Sequence, residues 1–375
     1  MTEYITSEHV LNNLANLPQL VFEVTDSCNL KCKYCAYGEF YSDFDKRDDN
    51  MLPVSKAIRL IDYLCKYWNS ERNVSANSLM YISFYGGEPL MNFSFIKDVV
   101  EYVETRLFCP RRTFLFSMTT NAILLHRYMD YLVEHDFHIL ISLDGNEKNN
   151  SYRVDHNGNN SFERVVRNVD LLREKYPDFF DKNINFNSVF HNRSTVEEVY
   201  SFLKDRYGKI PSISDLNNSG IRPEKLDEFN RTYQNSEKSL HQSEHYEEIL
   251  EDLFIGTSSY KSLTLYLHQY SGNYYRDYTD LLFDKIHIKY IPTGTCLPFS
   301  KKMFVTVNGK ILPCERIGHQ FGLGEITDDY IELDAVGIAQ KYNEYYNKME
   351  KQCTHCKNRP SCIQCLFNLK NIDRA

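Results

Sequence analysis

From residue 20 to about residue 210, short apolar runs alternate with longer amphipathic stretches, and this alternation restricts the fold more than any other feature of the sequence. The apolar runs are rich in β-branched and aromatic residues, as strands are: QLVFEVT, MYISFYGG, TFLFSMTTN, FHILISLDG and INFNSVF. The stretches between them carry apolar residues three and four positions apart, as helices do. A repeated strand-then-helix order predicts an α/β fold with a parallel sheet, either doubly wound or a full or partial (β/α) barrel.

Polar motifs follow four of these predicted strands directly. Cys28 comes after the first strand and GGEP, residues 86–89, after the second, while Asn121 ends the third and Ser142 lies in the SLDG that ends the fourth. In parallel α/β folds the chemistry gathers at the carboxyl ends of the strands. We therefore expect these motifs to form one site.

Composition and charge exclude several classes of protein. The 375 residues carry a formal net charge of −8, which argues against a nucleic-acid binder because phosphate contacts need clustered Lys and Arg. The sequence begins without the basic and apolar regions of an export signal, and no window approaches about 18 uninterrupted apolar residues. We therefore expect a soluble cytoplasmic protein that does not bind membranes. Of its 11 cysteines, those that cluster along the sequence are expected to be metal ligands rather than disulfides.

The first cysteine group has the spacing CxxxCxxC, at Cys28, Cys32 and Cys35. Three thiolates can hold three irons of a [4Fe–4S] cluster and leave the fourth iron open to a small molecule. Structural zinc is the alternative, but zinc sites usually combine two CxxC pairs around a closed tetrahedron. The spacing thus favours a cluster with one open iron.

This combination of motifs resembles the radical S-adenosylmethionine (SAM) enzymes over essentially the whole chain. The resemblance implies that Cys28, Cys32 and Cys35 bind the [4Fe–4S] cluster, whose open iron binds SAM. It also implies contacts to SAM: Tyr34 approaches the adenine, the GGEP residues receive the methionine ammonium, Ser142 contacts the ribose and Arg153 clamps the carboxylate. The cofactor-binding residues expected are Tyr34, Gly86, Gly87, Glu88, Pro89, Asn121, Ser142 and Arg153. One departure is the stretch Asn149, Asn150 and Ser151, where the family often has His-Asp, so contacts from that loop are open.

The second cysteine group lies near the end of the sequence and resembles the SPASM extension of radical SAM enzymes that act on peptides. The resemblance implies one or two auxiliary [4Fe–4S] clusters, one on Cys296, Cys314 and Cys365 and the other on Cys353, Cys356 and Cys362. Asn308-Gly309 predicts a type I′ hairpin that presents Cys314 on its second strand. Six cysteines leave fourth ligands open, for which Glu315, Asp373, water or a substrate cysteine are candidates, and zinc remains an alternative because CTHC and CIQC are two CxxC pairs.

The expected architecture is a partial (β/α)6-type radical SAM barrel followed by a small cysteine-rich SPASM domain with a β-hairpin. Four segments are predicted: an N-terminal extension at 1–20, the barrel at 21–211, a partly helical bridging insertion at 212–290 that begins with a loop, and the SPASM domain at 291–375.

The resemblance implies a peptide maturase that introduces a thioether or carbon–carbon crosslink into a ribosomally made precursor peptide. The alternatives are anaerobic sulfatase maturation, which oxidises Cys or Ser to formylglycine, and a catalytically silent iron–sulfur protein that binds peptides. Glu315 stands where sulfatase-maturating enzymes have an aspartate base, so it is a candidate general base. Expected partners are the precursor peptide, a separate leader-recognition protein, and a reductant such as flavodoxin or ferredoxin.

Overall fold

The computed structural model describes residues 2–75, 79–253, 291–357, 362, 364–369 and 372. Residues 254–290 of the predicted insertion, which include its Tyr-rich stretch, lie outside the described residues. Asp373, one candidate cluster ligand, lies outside them as well.

Ten strands form one sheet in the order β10-β9-β8-β7-β1-β2-β3-β4-β5-β6. Strands β1 to β6 pair in parallel, each with the next, which confirms the α/β fold with a parallel sheet expected from the alternating pattern. The strands are β1 (Gln19–Thr25), β2 (Leu79–Gly86), β3 (Thr113–Thr120), β4 (His138–Ser142), β5 (Ile184–Phe190), β6 (Ser212–Asp215), β7 (Met303–Val305), β8 (Lys310–Leu312), β9 (Gly324–Ile326) and β10 (Ile331–Glu332).

Helices connect the parallel strands and bury their apolar stripes against the sheet. Together with the strands they form one large core, which includes Trp68 of α2 and Phe304 of β7. Within the described residues, no helix combines the length and apolar character needed to cross a membrane. The α-helices are α1 (Ser7–Ala15), α2 (Val54–Trp68), α3 (Phe93–Thr105), α4 (Leu125–Glu134), α5 (Phe162–Lys175), α6 (Pro177–Asn183), α7 (Val196–Tyr207), α8 (Leu226–Thr232), α9 (Ser236–His241), α10 (Tyr246–Leu253) and α11 (Ala335–Thr354).

The predicted loop at the start of the bridging insertion is wrong, because residues 212–215 form the sixth parallel strand. Ser212 pairs with Asn187 and Asp215 with Phe190 of β5. This strand has only four residues, and three of them are the polar Ser212, Ser214 and Asp215, so its own sequence carries little strand signal. Backbone pairing with β5 therefore stabilises a strand that the local sequence does not predict.

The C-terminal hairpin extends the same sheet. Strand β7 pairs in parallel with β1, where Leu20 faces Met303 and Phe22 faces Val305, and β8 returns antiparallel to β7. The predicted hairpin is therefore present, but its turn differs from type I′, which needs positive φ at both central residues. Of the turn residues, Gly309 has φ +89° and Asn308 does not have positive φ. The Gly309 amide donates to the Thr306 carbonyl at 2.8 Å. The prediction that the second strand carries Cys314 is wrong, because Cys314 lies two residues beyond the end of β8.

The predicted N-terminal extension contains helix α1, which packs on α11 from the other end of the described chain. Asn343 of α11 accepts hydrogen bonds from the backbone amides of Tyr4 at 2.9 Å and Ile5 at 3.0 Å. Its side-chain amide donates to the Ile5 carbonyl at 2.7 Å. One buried asparagine thus fixes the first residues against the C-terminal helix.

Candidate functional site

The loop after β1 brings three thiols together at the carboxyl edge of the parallel sheet. Cys28 and Cys32 interact electrostatically with each other and with Cys35. The Asp26 carboxylate shapes the start of this loop by accepting from the backbone amides of Asp48 at 3.1 Å and Asn50 at 2.8 Å. The expected first cysteine group therefore faces a common space.

Three N–H groups point at these sulfurs. The Leu30 amide donates to Cys28 Sγ at 3.4 Å, and the Asn121 side chain approaches the same sulfur at 3.8 Å. Arg47 donates from Nη2 to Cys35 Sγ at 3.3 Å. Donors of this kind stabilise cluster thiolates and tune the potential of an iron–sulfur cluster. The donor set therefore fits a [4Fe–4S] cluster bound by the three cysteines.

Without a metal, the Cys28 and Cys32 thiols hold their protons. Burial raises the pKa of Cys28 to about 11 and that of Cys32 to about 12. Only the thiolate ligates iron, so cluster assembly must displace these protons.

The GGEP loop is fixed directly against the cysteine loop. The Gly87 amide donates to the Thr25 carbonyl at 2.8 Å, and the Glu88 amide donates to the Ser27 carbonyl at 2.9 Å. A Cβ on Gly87 would lie 2.0 Å from the Ser27 carbonyl oxygen, and Gly86 has φ +137°. Only glycine fits both positions. Pro89 then begins a short 3-10 turn, Pro89–Asn92.

The Glu88 carboxylate lies fully inside the protein. It accepts hydrogen bonds from the Leu90 amide at 3.1 Å, the Thr120 hydroxyl at 2.6 Å and the Asn121 amide at 2.8 Å. Burial raises the pKa of Glu88 to about 7, although these three donors oppose the shift. In this arrangement the carboxylate joins the GGEP loop to the end of β3, and its expected contact with an ammonium stays a prediction.

A buried polar cluster forms around Asp144, the aspartate of SLDG. Its carboxylate accepts from Arg153 Nη2 at 2.9 Å, from the Val189 amide at 2.9 Å and from the Tyr34 hydroxyl. His191 Nε2 lies 3.8 Å from the same carboxylate. Burial alone would raise the pKa of Asp144, but Arg153 and His191 hold it below its ordinary value. This cluster orients Arg153 and Tyr34 beside the cysteine loop.

This cluster also limits how the expected SAM contacts can be made. The Tyr34 ring is packed in an aromatic cluster with Phe40 and Tyr152, and the Arg153 guanidinium lies 5.5 Å from the centre of that ring. The Arg153 Nε group has no hydrogen-bond partner among the described residues. Ser142 is half-buried at the end of β4, opposite Asn187 of β5. The roles of Tyr34, Ser142 and Arg153 toward SAM stay predictions.

Three of the C-terminal cysteines also come together. Cys296 interacts electrostatically with Cys365, and Cys314 with Cys296. The Thr295 hydroxyl accepts from the Leu366 amide at 2.8 Å and is hydrogen-bonded to the Cys365 thiol. This is the grouping that the SPASM resemblance implies, and three thiols from separate segments fit a cluster at this position.

The remaining cysteines lie around the end of α11. Cys353 is in its last turn, and the Cys356 amide donates to the Cys353 carbonyl at 3.2 Å. Cys362 is half-buried. In the part of the chain that the structure describes, no three His, Cys, Asp or Glu side chains converge tightly enough to hold a single metal ion. A shared cluster on Cys353, Cys356 and Cys362 stays a prediction.

Glu315, the candidate general base, is bound in an ion pair. Lys302 Nζ lies 3.1 Å from its carboxylate oxygens, and the neighbouring Cys314 thiol donates to it at 3.5 Å. Burial would raise the pKa of Glu315, but the charge and hydrogen bond of Lys302, a backbone hydrogen bond and the charge of Arg316 together lower it. A carboxylate with a lowered pKa is a weaker base, so this geometry weakens the case for Glu315 as the catalytic base.

Sequence reasoning did not identify two residues that the structure places in the site. Asp144 was visible as the polar residue just beyond β4, inside a motif already singled out for Ser142. Arg47 lies twelve positions after Cys35 and carried no comparable signal, because only the folded loop returns its guanidinium to the sulfur.

A comparison with protein families identifies the class of protein. Residues 22–205 match the Radical SAM superfamily. These residues contain the cysteine loop, the GGEP loop and the Asp144 cluster, and they form a radical SAM domain. The chain therefore contains a radical SAM domain.

Its relatives include a radical SAM cyclopropyl synthase and several anaerobic sulfatase-maturating enzymes. The chain is 27% identical over 218 residues to the radical SAM cyclopropyl synthase TigE of Paramaledivibacter caminithermalis, a match that covers 55% of this chain and only 43% of TigE. It is 21% identical over 363 residues to a cysteine-type anaerobic sulfatase-maturating enzyme of Clostridium novyi, covering 93% of this chain and 87% of the relative. The solved structure of native anSMEcpe with bound AdoMet superimposes with a TM-score of 0.61 at 20% identity, covering 92% and 88% of the two chains.

Proposed function

We propose that this protein is a radical SAM maturase that crosslinks a ribosomally synthesised precursor peptide. The observation that carries the proposal is the pair of three-thiol groups, one on the loop after β1 and one beside the hairpin β7–β8, built on a single sheet. With its cofactors bound, the first group would supply a 5′-deoxyadenosyl radical from SAM, which abstracts a hydrogen atom from the peptide. The second group would hold an auxiliary cluster that can accept the electron released on bond formation.

The residues of this chain contribute binding and orientation. The hydrogen bonds to Cys28 and Cys35 stabilise the thiolates, and the Gly87 contact fixes the GGEP backbone next to them. The buried pair of Arg153 and Asp144 holds a guanidinium beside the cysteine loop, where a carboxylate ligand such as that of SAM would find a bidentate donor.

A peptide substrate is supported by the relatives. A solved structure of anSMEcpe with bound AdoMet and the Cp18Cys peptide has a TM-score of 0.60 to this chain at 19% identity. Sulfatase maturation is the second candidate, favoured by the long match to the Clostridium novyi enzyme. The ion pair of Glu315 with Lys302 weighs against that alternative, because the candidate base is already bound to a cation.

The test starts with anaerobic protein, dithionite and SAM, and measures 5′-deoxyadenosine. A Cys32→Ala variant is the matched control, and equal product from both proteins would refute the enzyme proposal and leave a silent cluster protein. Mass spectrometry then compares two peptides: the product of a short reading frame beside the gene, and a cysteine-containing sulfatase peptide. A crosslink removes two hydrogens and retains sulfur, whereas formylglycine formation from cysteine replaces sulfur by oxygen.

Two partners follow from this proposal. Reduction of the first cluster requires an electron donor such as flavodoxin or ferredoxin, and dithionite replaces it in the assay. A separate leader-recognition protein is the second, and adding it should lower the peptide concentration needed for half-maximal modification without changing the product mass.

A further inference from the structure

Helix α11 buries a tyrosine hydroxyl that has no hydrogen-bond partner among the described residues. Tyr342 has no exposed surface, and its ring packs against Phe367 at 5.5 Å and Tyr346 at 6.0 Å between ring centres. A buried hydroxyl without a partner is unfavourable, and such groups are rare in folded proteins. We therefore expect the hydrogen-bond partner of the Tyr342 hydroxyl to be a group that binds next to it in the functional protein.

The groups around this hydroxyl are the neighbouring Tyr346 and the C-terminal thiols. Tyr342 interacts electrostatically with Cys296, Cys365 and Cys314, which come from three separate segments of the chain. Phe367, the aromatic neighbour of the Tyr342 ring, lies two residues after Cys365. The hydroxyl thus lies within electrostatic reach of all three thiols and beside the segment that carries Cys365.

We propose that the Tyr342 hydroxyl donates a hydrogen bond to a sulfur of the auxiliary cluster held by Cys296, Cys314 and Cys365. The inference rests on the proposed function in one respect: it requires that Cys296, Cys314 and Cys365 bind a cluster. A neutral phenol has one O–H donor and needs no proton loss for this contact, whereas ligation of iron would need the phenolate. Hydrogen bonds to the sulfurs of a cluster stabilise its reduced form and raise its reduction potential. Tyr342 is therefore a positioning residue for electron acceptance.

The test removes only the hydroxyl, with Tyr342→Phe, and uses Tyr346→Phe as the matched control. Tyr346 lies one helical turn further along α11, is equally buried, and packs on Tyr4. Both variants are made in a Cys28/Cys32/Cys35→Ala background, reconstituted anaerobically and titrated potentiometrically by electron paramagnetic resonance. The signal that Cys314→Ala abolishes identifies the cluster.

We expect Tyr342→Phe to keep its iron and sulfide content and to shift the midpoint of that signal to a more negative potential, with Tyr346→Phe unchanged. An unchanged midpoint in Tyr342→Phe would overturn the proposal. Iron loss confined to Tyr342→Phe would overturn it too, because the oxygen would then be an iron ligand.

Thermal stability provides a second measurement that a merely structural role would not reproduce. Tyr342→Phe should raise the melting temperature of cluster-free protein, since it removes an unpartnered hydroxyl, and lose this gain after reconstitution. A gain that persists in reconstituted protein would contradict the hydrogen bond. None of these measurements uses a peptide, so a protein that shows both effects but modifies no peptide would refute the proposed function alone.

Discussion

Replacing Gly87 by alanine tests whether the contact between the GGEP loop and the cysteine loop holds the site together. An alanine Cβ would lie 2.0 Å from the Ser27 carbonyl oxygen and 2.7 Å from that of Asp26. Carbon and oxygen atoms in ordinary contact are about 3.3–3.6 Å apart. One of the two loops must therefore move by more than about 1 Å.

The cost has two parts. Forcing an extra methyl group into a packed site costs about 1–3 kcal/mol. The two backbone hydrogen bonds that join the loops, from Gly87 to Thr25 at 2.8 Å and from Glu88 to Ser27 at 2.9 Å, lengthen when the loops separate. Each contributes about 0.5–1.5 kcal/mol. We expect Gly87→Ala to lower the free energy of unfolding by about 2–4 kcal/mol and to weaken SAM binding.

Urea unfolding and calorimetric SAM titration, both anaerobic, measure these effects. Gly208→Ala is the control, because Gly208 has φ +69° at the end of α7 and its Cβ would meet nothing within 4 Å. It should cost only about 1 kcal/mol and bind SAM as the wild type does. If Gly87→Ala matches Gly208→Ala in both measurements, the close contact does not restrain the site.

Three further predictions concern single charged groups. Arg153→Ala should lower the free energy of unfolding by about 3–5 kcal/mol, because it leaves the buried Asp144 unpaired; a loss below about 1 kcal/mol in urea would contradict this. Arg47→Gln should keep its iron but move the potential of the first cluster to more negative values, since the hydrogen bond to Cys35 is weakened. An unchanged midpoint would count against it. Burial raises the pKa of Glu23 from 4.5 to about 7, so its stabilising contribution is complete below about pH 4.5 and falls as the pH rises through 7. The stability of Glu23→Gln relative to wild type should therefore improve by up to about 3 kcal/mol between about pH 5 and pH 8, and a constant difference would refute the assignment.

The sequence predicted the sheet because its information there is local. Five strands and the helices between them show the expected periodicity, and their order is that of a parallel α/β fold. Strand β6 escaped prediction because Ser212 and Asp215 resemble loop residues, and the strand exists through its pairing with β5. The pairing of β7 with β1 was not predicted for a related reason. More than 270 residues separate the partners Leu20 and Met303, and no local pattern encodes that register.

The site was predictable as a set of motifs and not as a set of contacts. Spacing placed Cys28 and GGEP at the same edge, because the carboxyl ends of parallel strands lie together. The partner of a side chain is set by tertiary packing, so the sequence indicated neither that Glu88 would face backbone amides nor that Arg153 would pair with Asp144. Tyr342 illustrates the same limit, because its apolar-periodic helix predicts burial but not which thiols its hydroxyl faces.

A single carboxylate joins the two cysteine groups. Glu23 of β1 accepts from the Tyr37 hydroxyl, which belongs to the first cysteine loop, and from the Val307 amide at 2.8 Å, which belongs to the turn of the hairpin before Cys314. Because β7 is also hydrogen-bonded to β1, the loop and the hairpin are held on one rigid element. The separation between the two thiol groups is therefore fixed by the sheet. Under the proposed function, a peptide that reacts between them must be positioned by its own binding rather than by closure of one group onto the other.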